Sequence, residues 1–292
     1  MIISQIIGGL GNQMFQFAVG RALSLARGQR LCLDVSGFKD YPLHQGFELN
    51  RIFDCQVDIA TDAEVRSVLG WQYPALARRI VGHPAMNWAR RPAFVVEPSF
   101  GYWSELNNVP LDCYLTGYWQ SLKYFEKYAS VIRKDFSFQA QKVMHDSALA
   151  KQISQSNAVS VHLRRGDYVN DPSVNAKHGV CPLDYYVAAI RHISDRVATP
   201  LFIVFSDDID WARTNLNIDF PSRYIDQNRG ASSYKDMYLM SLCQHNIIAN
   251  SSFSWWGAWL NANDDKIVLA PKRWFLQAVS TVDLIPEDWV SL

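Results

Sequence analysis

The chain has 292 residues, of which 49% are hydrophobic and 19% are charged, so it is long and apolar enough for two packed domains. Its 28 lysines and arginines balance its 28 aspartates and glutamates, which argues against nucleic acid as a partner because nucleic-acid-binding proteins carry a basic surplus. No apolar run approaches the roughly 20 residues of a membrane-spanning helix and the N-terminus lacks a secretory signal, so we expect a cytoplasmic protein.

The chain starts with a predicted strand, a glycine-rich loop and a predicted helix. Residues 2–7 form a β-branched run, and the loop GGLGNQ (residues 8–13) follows it. Apolar residues at helical spacing then predict a helix that ends at Gly28, and the next strand ends on Asp34. This order indicates a parallel sheet with helices on its faces.

The loop GGLGNQ is a candidate binding site. Glycines such as Gly9 and Gly11 let a ligand approach the backbone, and the start of a helix presents N–H groups to an anion. Asn12 and Gln13 add polar side chains where a substrate would lie. The spacing is neither G-x-G-x-x-G nor a Walker motif, so a turn required only by packing is the alternative.

The stretch from about residue 36 to 115 shows little periodicity. Within it, residues 75–92 predict an amphipathic surface helix that is interrupted near Gly82, with Trp88 beside four arginines: Arg78, Arg79, Arg90 and Arg91. A solvated surface is the favoured interpretation, and a weak contact with anionic lipid is the alternative. A further helix is predicted over Ser121–Phe136.

Strands and helices alternate again from about residue 157 to 271, which predicts a second doubly wound unit. We therefore expect an α/β fold with two Rossmann-like domains facing a central cleft, divided into residues 1–145 and 146–292. The five cysteines are odd in number and scattered, as is typical of reduced thiols rather than disulfides or a zinc site. In such sheets, ligands bind at the carboxyl ends of the strands.

The sequence HLRRGD begins at the end of one of these strands, Val159–Leu163, and continues into the loop after it. His162 and Arg164 share a face of the strand, and a guanidinium offers a rigid fork of donors that fits phosphate or carboxylate. Asp167 is placed to support an arginine. The alternative is a structural ion pair between Arg165 and Asp167 on the loop.

The sequence FSDDID follows the next predicted strand and allows three interpretations. Asp208 and Asp210 match the D-x-D pattern that holds a divalent metal in many glycosyltransferases. Alternatively, Asp207 or Asp208 accepts hydrogen bonds from a nucleotide base, or Ser206 or Asp207 caps the following helix. The two arginines already supply positive charge, which makes a metal less necessary.

The sequence NSSFSWW follows a later strand. Its hydroxyls, together with helix N-terminal amides, can donate to phosphate; the alternative is an ordinary helix cap. We expect the tryptophans of this helix to pack in a core: Trp255, Trp256 and Trp259. Asn250-Ser251-Ser252 matches a glycosylation sequon, to which we give little weight. The histidines show no metal-ligand spacing, and no G-x-S-x-G hydrolase motif occurs.

Four motifs together resemble the bacterial α-1,2-fucosyltransferases of glycosyltransferase family 11. They are IIGGLGNQMFQFAVGRALS, VSVHLRRGDYV, FIVFSDDIDW and IIANSSFSWWGAWL, which occur in this order between residues 2 and 260. The resemblance implies a GT-B fold and the inverting transfer of fucose from GDP-fucose, with no metal or other cofactor. It also implies an acceptor that is a galactose-terminated oligosaccharide or lipid-linked glycan, in bacterial surface polysaccharide synthesis such as that of O-antigen.

The resemblance also implies roles for individual residues. Arg164 would bind the β-phosphate and stabilise the departing GDP, with support from Arg165. His162 and one aspartate, Asp207 or Asp208, would contact the guanosine. Three residues would line the phosphate and base pocket: Ser251, Ser252 and Phe253. The loop with Gly9, Gly11, Asn12 and Gln13 would face the fucose and the acceptor from the N-terminal domain.

The general base that deprotonates the acceptor stays open among Asp34, Asp167 and His162, and Asn12 is a candidate for orienting the hydroxyl instead. Other functions also stay open: a metal-dependent glycosyltransferase, a dinucleotide-dependent oxidoreductase, a binding module without turnover, or fucose transfer in α-1,6 or α-1,3 linkage. Peripheral attachment to the inner membrane is an alternative to a freely cytoplasmic location.

Overall fold

The computed structural model describes residues 1–39, 45–143 and 147–292. The chain divides into two compact units. Unit 1 contains Met1–Ser137 and Ser280–Leu284, and unit 2 contains Phe138–Val279 and Ile285–Leu292. The predicted boundary between residues 145 and 146 lies outside the described residues and stays a prediction.

Unit 1 is built on a four-stranded sheet in which all neighbouring strands are parallel, in the order β2-β1-β4-β3. The strands are β1 (Ile2–Gln5), β2 (Leu31–Asp34), β3 (Phe94–Val96) and β4 (Cys113–Thr116). The helices are α1 (Leu10–Arg27), α2 (Leu49–Ile52), α3 (Asp62–Leu69), α4 (Ala75–Gly82) and α5 (Ala129–Asp135). Short 3-10 turns connect several of these elements. The predicted β-loop-α-β start of the chain is confirmed, and Gly28 ends α1 as expected.

The helix predicted over Ser121–Phe136 is wrong for its first half. Two 3-10 turns, Leu122–Tyr124 and Glu126–Tyr128, precede α5. Phe125 is fully buried, and the hydroxyl of the preceding residue, Tyr124, accepts a hydrogen bond from the Trp103 amide at 2.9 Å. The rings of Phe125 and Tyr124 also pack against those of Phe15 and Trp119, at centroid distances of 6.2 and 5.5 Å, so tertiary contacts accompany the irregular path.

Unit 2 is built on a six-stranded parallel sheet in the order β10-β9-β8-β5-β6-β7. The strands are β5 (Ala158–Leu163), β6 (Leu201–Ser206), β7 (Ser222–Ile225), β8 (His245–Ile247), β9 (Val268–Ala270) and β10 (Val290–Ser291). This is the strand order of the dinucleotide-binding sheet, which changes direction between its first and fourth strands, here β5 and β8. All residues of β5 are buried, as expected of a central parallel strand.

Eight helices are described in unit 2. They are α6 (Ala140–Val143), α7 (Ser147–Ser154), α8 (Gly166–Asn170), α9 (Pro172–His178), α10 (Leu183–Ser194), α11 (Ile209–Asn215), α12 (Tyr234–Ser241) and α13 (Ser252–Leu260). The three tryptophans of α13 are buried, which confirms their predicted place in a core. All five cysteines are free thiols, as predicted. Among the described residues, no helix is both long and apolar enough to cross a membrane.

Candidate functional site

The carboxyl ends of β5, β6 and β8 carry the polar residues that the sequence analysis singles out. Strand β5 lies between β6 and β8, at the point where the strand order changes direction. In open α/β sheets, this is the point where ligands bind. Leu163, the last residue of β5, pairs with Ser206, the last residue of β6. The residues that follow the two strands are therefore neighbours.

Arg164 is held between two carboxylates at this edge. Its guanidinium lies 2.7 Å from Oδ1 of Asp167 and 3.0 Å from Oδ2 of Asp207. About a quarter of the Arg164 side chain is exposed, 26%. The fork of donors is thus fixed in direction but still reachable by an anion, which suits it to bind a diphosphate.

The alternative prediction of an ion pair between Arg165 and Asp167 is wrong, because each of these residues pairs with a different partner. Asp167 pairs with Arg164, whereas Arg165 places its Nε 3.3 Å from Oδ2 of Asp208. The Arg165 guanidinium also stacks on the ring of Trp211, 3.4 Å from the ring centroid. Arg165 therefore faces α11, the helix that contains Trp211.

Asp207 supports both arginines. Besides its ion pair with Arg164, it accepts a hydrogen bond from the backbone N–H of Arg165 at 2.8 Å. A Cβ atom at Gly166 would lie 2.7 Å from Oδ2 of Asp207, so the Asp207 carboxylate would have to move if another residue replaced this glycine. The structure places Asp207 as a partner of the arginines, and its predicted contact with guanosine stays a prediction.

Asp208 caps α11. It accepts a hydrogen bond from the Trp211 amide at 3.4 Å, so the predicted helix cap is Asp208 rather than Ser206 or Asp207. Asp210, the other carboxylate of the D-x-D pattern, lies 3.5 Å from Arg213. Across residues 1–39, 45–143 and 147–292, no three His, Cys, Asp or Glu side chains are grouped as a metal site.

His162 is buried beside Arg164, with its ring 5.8 Å from that of Phe253. Burial lowers the pKa of His162 to about 4; the charge of Arg164 acts in the same direction, and that of Asp207 opposes it. The ring is therefore neutral at physiological pH, and its Nδ1 atom has no hydrogen-bond partner within the described part of the chain. A neutral ring with a free nitrogen suits ligand contact better than proton abstraction.

The loop after β8 leads into α13. Ser251 is buried and caps this helix by accepting a hydrogen bond from the Phe253 amide at 3.3 Å. Ser252 and Phe253 are half-buried in the first turn. The structure thus brings these three residues to the edge where Arg164 lies, although Ser251 also has an ordinary capping role.

Asn250 links the loop after β8 to other segments at this edge. Its structural role was not predicted from the sequence. Its side chain is buried and donates hydrogen bonds to the backbone carbonyls of His178, Gly179 and Trp274, at 3.1 to 3.2 Å. The carbonyl of Asn250 accepts from the hydroxyl of Tyr168 at 3.1 Å. Asn250, the residue of the sequon that would carry the glycan, is thereby enclosed. The Asn-Ser-Ser sequence gives no signal for this packing, because the partners are distant along the chain.

In unit 1, Gln13 has a structural position. Its Nε2 atom donates to the carbonyls of Gly8 and Gly46 at 2.9 and 2.8 Å, and its Oε1 atom accepts from the amide of Glu48 at 2.9 Å. The side chain is fully buried. Gln13 therefore ties the glycine loop to residues 46–48, and its predicted contact with substrate stays a prediction.

Asn12 and the loop glycines start α1. Gly9 caps the helix, and its carbonyl accepts from the Asn12 amide at 2.9 Å. Gly11 is buried in the first turn. The half-buried Asn12 side chain accepts a hydrogen bond from Nε2 of Gln120 at 2.7 Å. It is thus anchored to the loop after β4 at the carboxyl edge of the first sheet.

Asp34 ends β2 on the same edge. It accepts hydrogen bonds from the Tyr114 hydroxyl at 2.6 Å and the Ser36 amide at 2.9 Å, and Arg78 lies 3.5 Å away. Burial raises the pKa of Asp34, but these hydrogen bonds and the charge of Arg78 outweigh it, so the net pKa is lowered. A carboxylate so stabilised is a poor proton acceptor.

Glu97 follows β3 on this edge and was missed by the sequence analysis. Its carboxylate accepts hydrogen bonds from the amides of Tyr118 and Trp119, which follow β4. Burial raises the pKa of Glu97 to about 7, against these two hydrogen bonds. It lies in the stretch without periodicity, and only its position after the apolar run FVV could have identified it.

Comparison with known sequences identifies relatives over the whole chain. The profile described as "Glycosyl transferase family 11" matches residues 100–292. The α-1,2-colitosyltransferase of Escherichia coli is 36% identical over 100% of this chain and 99% of its own. The O-antigen biosynthesis glycosyltransferase WbnK of Escherichia coli is also 36% identical, over 99% of both chains. Galactoside α-(1,2)-fucosyltransferase 1 of Alouatta caraya is 26% identical over 98% of this chain and 73% of its own.

Comparison with solved structures identifies the fold. The α-1,6-fucosyltransferase NodZ of Bradyrhizobium, co-crystallised with GDP, aligns with a TM-score of 0.55 over 88% of this chain and 90% of its own, at 15% identity. A point mutant of FUT1 of Arabidopsis thaliana, in complex with GDP, aligns with a TM-score of 0.54 over 92% of this chain and 70% of its own, at 11% identity. At such identities the likeness concerns the fold alone. The predicted α/β fold class, of GT-B type, is confirmed.

Proposed function

The chain belongs to glycosyltransferase family 11, and we propose that it transfers L-fucose from GDP-β-L-fucose, with inversion, to the 2-hydroxyl of a terminal β-galactoside. The observation that carries this proposal is Arg164, fixed between Asp167 and Asp207 at the point where the strand order of unit 2 changes direction. The α-1,2 linkage in the names of two relatives supports the choice of hydroxyl.

The proposed mechanism uses Arg164 to stabilise the leaving group. When the bond between fucose and diphosphate breaks, negative charge builds on GDP, and a bidentate guanidinium stabilises that charge more in the transition state than in the ground state. His162, which lies beside Arg164, and Phe253, whose ring is 5.8 Å from that of His162, would contact the guanosine, while Ser251 and Ser252 would line the phosphates. Since arginine supplies the positive charge, we propose that the enzyme needs no metal or other cofactor.

The WbnK relative favours an acceptor in O-antigen synthesis, either a galactose-terminated oligosaccharide or a lipid-linked glycan. The colitosyltransferase relative favours a second candidate donor, GDP-colitose. Colitose is fucose without its 3-hydroxyl group, so both donors offer the same diphosphate and the same anomeric carbon to Arg164. The two candidates differ only in the contacts of one sugar hydroxyl.

We expect purified protein to release GDP from GDP-fucose when lactose is present, and to do so equally with EDTA. Parallel reactions with GDP-colitose and without acceptor separate donor choice from hydrolysis, and NMR of the product assigns the linkage. Loss of release with EDTA would replace the proposal by a metal-dependent reaction through Asp208 and Asp210. Binding of GDP without release, for any galactoside, would contradict the enzymatic proposal.

We further propose that unit 1 touches the inner membrane weakly through α4 and the turns beside it. Four large apolar side chains are exposed there: Trp71, Leu76, Ile80 and Trp88. Leu76 and Trp88 are the most exposed, at 70% and 82%. The exposed Arg79 and Arg91 add positive charge, whereas Arg78 and Arg90 bond within the unit. Exposed aromatic and basic residues together favour an anionic lipid surface.

We expect the protein to co-sediment with vesicles of anionic lipid, and the double variant Leu76→Ser, Trp88→Ser to bind at least about tenfold more weakly because it loses buried apolar area. Leu111→Ser is the matched control, since Leu111 is 67% exposed in the same unit but outside this surface. Wild-type protein that stays in the supernatant with anionic vesicles would contradict the membrane proposal.

A further inference from the structure

The reaction proposed above requires a proton acceptor that the sequence analysis could not choose. Asp34 has a lowered pKa and oxygens engaged by Tyr114 and Ser36. Asp167 is paired with Arg164, and the pKa of His162 is about 4. A general base works best when its pKa lies near the working pH and an oxygen or nitrogen is free to accept. Asp34 and His162 each fail at least one of these conditions, and Asp167 is held in an ion pair with Arg164.

We propose that Glu97 is the general base, in an acceptor-hydroxyl site formed by the loops that follow β1, β3 and β4 in unit 1; this inference rests on the proposed function. Glu97 directly follows β3, and its amide donates to the carbonyl of Thr116 at 2.9 Å, so it extends the pairing of β3 with β4. The carboxyl ends of parallel strands are where ligands bind in such sheets.

The three loops are joined by hydrogen bonds. Gln120, in the loop after β4, donates to Asn12 in the loop after β1. Gln16 in α1 donates to the carbonyl of Gly117 at 3.1 Å and accepts from the amide of Ile7 at 2.9 Å. The polar side chains of this edge are therefore held in place before a substrate arrives, as a site for an oriented hydroxyl requires.

The Glu97 carboxylate is fixed by the loop after β4. Its two oxygens accept from the amides of Tyr118 at 2.6 Å and Trp119 at 2.9 Å. Each carboxylate oxygen has two lone pairs, so one acceptor position remains on each for a substrate hydroxyl. A Cβ atom at Gly117 would lie 2.4 Å from Cβ of Glu97, so only glycine lets the loop approach this closely.

The backbone beside Glu97 is strained. Trp119 has a φ of 55°, in the left-handed region that bulky residues rarely occupy. Its side chain is buried, and its Nε1 atom has no hydrogen-bond partner in the described part of the chain. Such strain is retained where the surrounding structure enforces it, and it occurs most often at functional sites. The amide of this strained residue is one of the two that donate to Glu97.

The surroundings of Glu97 keep its carboxylate basic. Burial raises its pKa to about 7, and no charged side chain contributes to this shift. Glu97 interacts electrostatically with the phenol of Tyr124, which stays neutral because burial raises its pKa above the usual range. Asp283, which also acts on Tyr124, is balanced by Lys123 at 2.6 Å. Near neutral pH, Glu97 is thus partly ionised and able to take a proton.

The chemical step balances with Glu97 as acceptor. The oxygen of the acceptor hydroxyl forms a bond to the anomeric carbon of fucose as the bond from that carbon to the phosphate oxygen breaks. The electron pair of the broken bond leaves with GDP, and the hydroxyl proton passes to the Glu97 carboxylate. Solvent then removes the proton and restores the base for the next cycle.

The test compares Glu97→Gln and Glu97→Asp with the control Glu105→Gln, whose carboxylate lies on an exposed 3-10 turn of the same unit. For wild type and control, we expect kcat to fall about tenfold per pH unit below pH about 7, because the base must be ionised. For Glu97→Gln we expect kcat to be about a hundred- to a thousandfold lower than in wild type. We also expect its kcat to lack this decline at acidic pH, which is called the acidic limb below. GDP-fucose binding and the melting temperature should stay close to wild type.

Three outcomes would overturn the inference. In the first, Glu97→Gln retains the wild-type rate and the acidic limb. In the second, Glu97→Gln loses only stability and acceptor affinity while the acidic limb persists, which would mean that Glu97 has a purely structural role. The third outcome applies if Glu97→Gln does not fold, because Glu97→Asp then becomes the test. A shift of the acidic limb to another pH in Glu97→Asp supports the inference, and an acidic limb at the wild-type pH overturns it. If wild type and Glu105→Gln also fail to transfer fucose, the proposed function fails rather than the assignment of the base.

Discussion

Replacing Arg164 with alanine is expected to lower kcat for fucose transfer by about a hundred- to a thousandfold. Removing one preorganised donor to a developing negative charge typically costs about 3–4 kcal/mol of transition-state stabilisation, which corresponds to this factor. Arg164→Lys should recover only part of the rate, since an ammonium group lacks the planar fork that fits two phosphate oxygens. The rates are measured as GDP release at saturating donor and acceptor.

The Arg164→Ala variant should fold. Asp167 and Asp207 are partly exposed, at 40% and 26% of their side chains, so water can hydrate both carboxylates after the arginine is removed. Arg213→Ala is the matched control, because Arg213 also pairs with two carboxylates, Asp210 and Asp226, after strands of the same sheet. A turnover of Arg164→Ala within a factor of about three of the control would contradict the role of Arg164 in stabilising the leaving group.

Replacing Asp207 with alanine should lower kcat by roughly ten- to a hundredfold, the second largest effect on the donor side. Asp207 pairs with the guanidinium of Arg164 and accepts a hydrogen bond from the amide of Arg165. Without Asp207, the Arg164 guanidinium can move away from the diphosphate. Asp208→Ala is the control. It removes an ion pair to Arg165 and the cap of α11, and should cost about 1 kcal/mol of stability but little turnover.

The same variant decides between two roles of Asp207. If Asp207 accepts hydrogen bonds from the guanine edge, as the family resemblance implies, wild type should bind GDP more tightly than IDP, which lacks the 2-amino group. Asp207→Ala should then lose that preference. If Asp207 positions the arginines, kcat falls while the ratio of the GDP and IDP dissociation constants stays unchanged. We expect the second result, because the ion pair and the hydrogen bond of Asp207 in the structure are both to the arginines.

The second sheet could be predicted well because its signals are local. Apolar runs that end in HLRRGD, FSDD and NSS mark strands β5, β6 and the region of β8, and helical spacing marks α10 and α13. The partners of the arginines could not be predicted, since they depend on the register between strands. The pairing of Leu163 with Ser206 brings Asp207 to Arg164, and nothing in either segment alone specifies that alignment.

The proposed acceptor site was missed for a related reason. Strand β3 has only three residues, too few to show a period, and it lies at the edge of its sheet. The role of Glu97 depends on backbone amides in residues 118 and 119, and a hydrogen bond to a backbone amide leaves no trace in residue type. Gln13 shows the converse. Its place in a glycine loop favours substrate binding, yet its polar atoms bond within unit 1.

The enclosure of Asn250 bears on how the protein can be produced. In a eukaryotic secretory pathway, the sequon Asn250-Ser251-Ser252 would be modified while the chain is still unfolded. A bulky glycan on Asn250 is incompatible with a buried amide that donates to three backbone carbonyls, so the modified chain is excluded from the native state. Removing the sequon by mutation would disturb either this amide or Ser252 at the candidate site. Expression in a bacterial cytosol avoids the conflict.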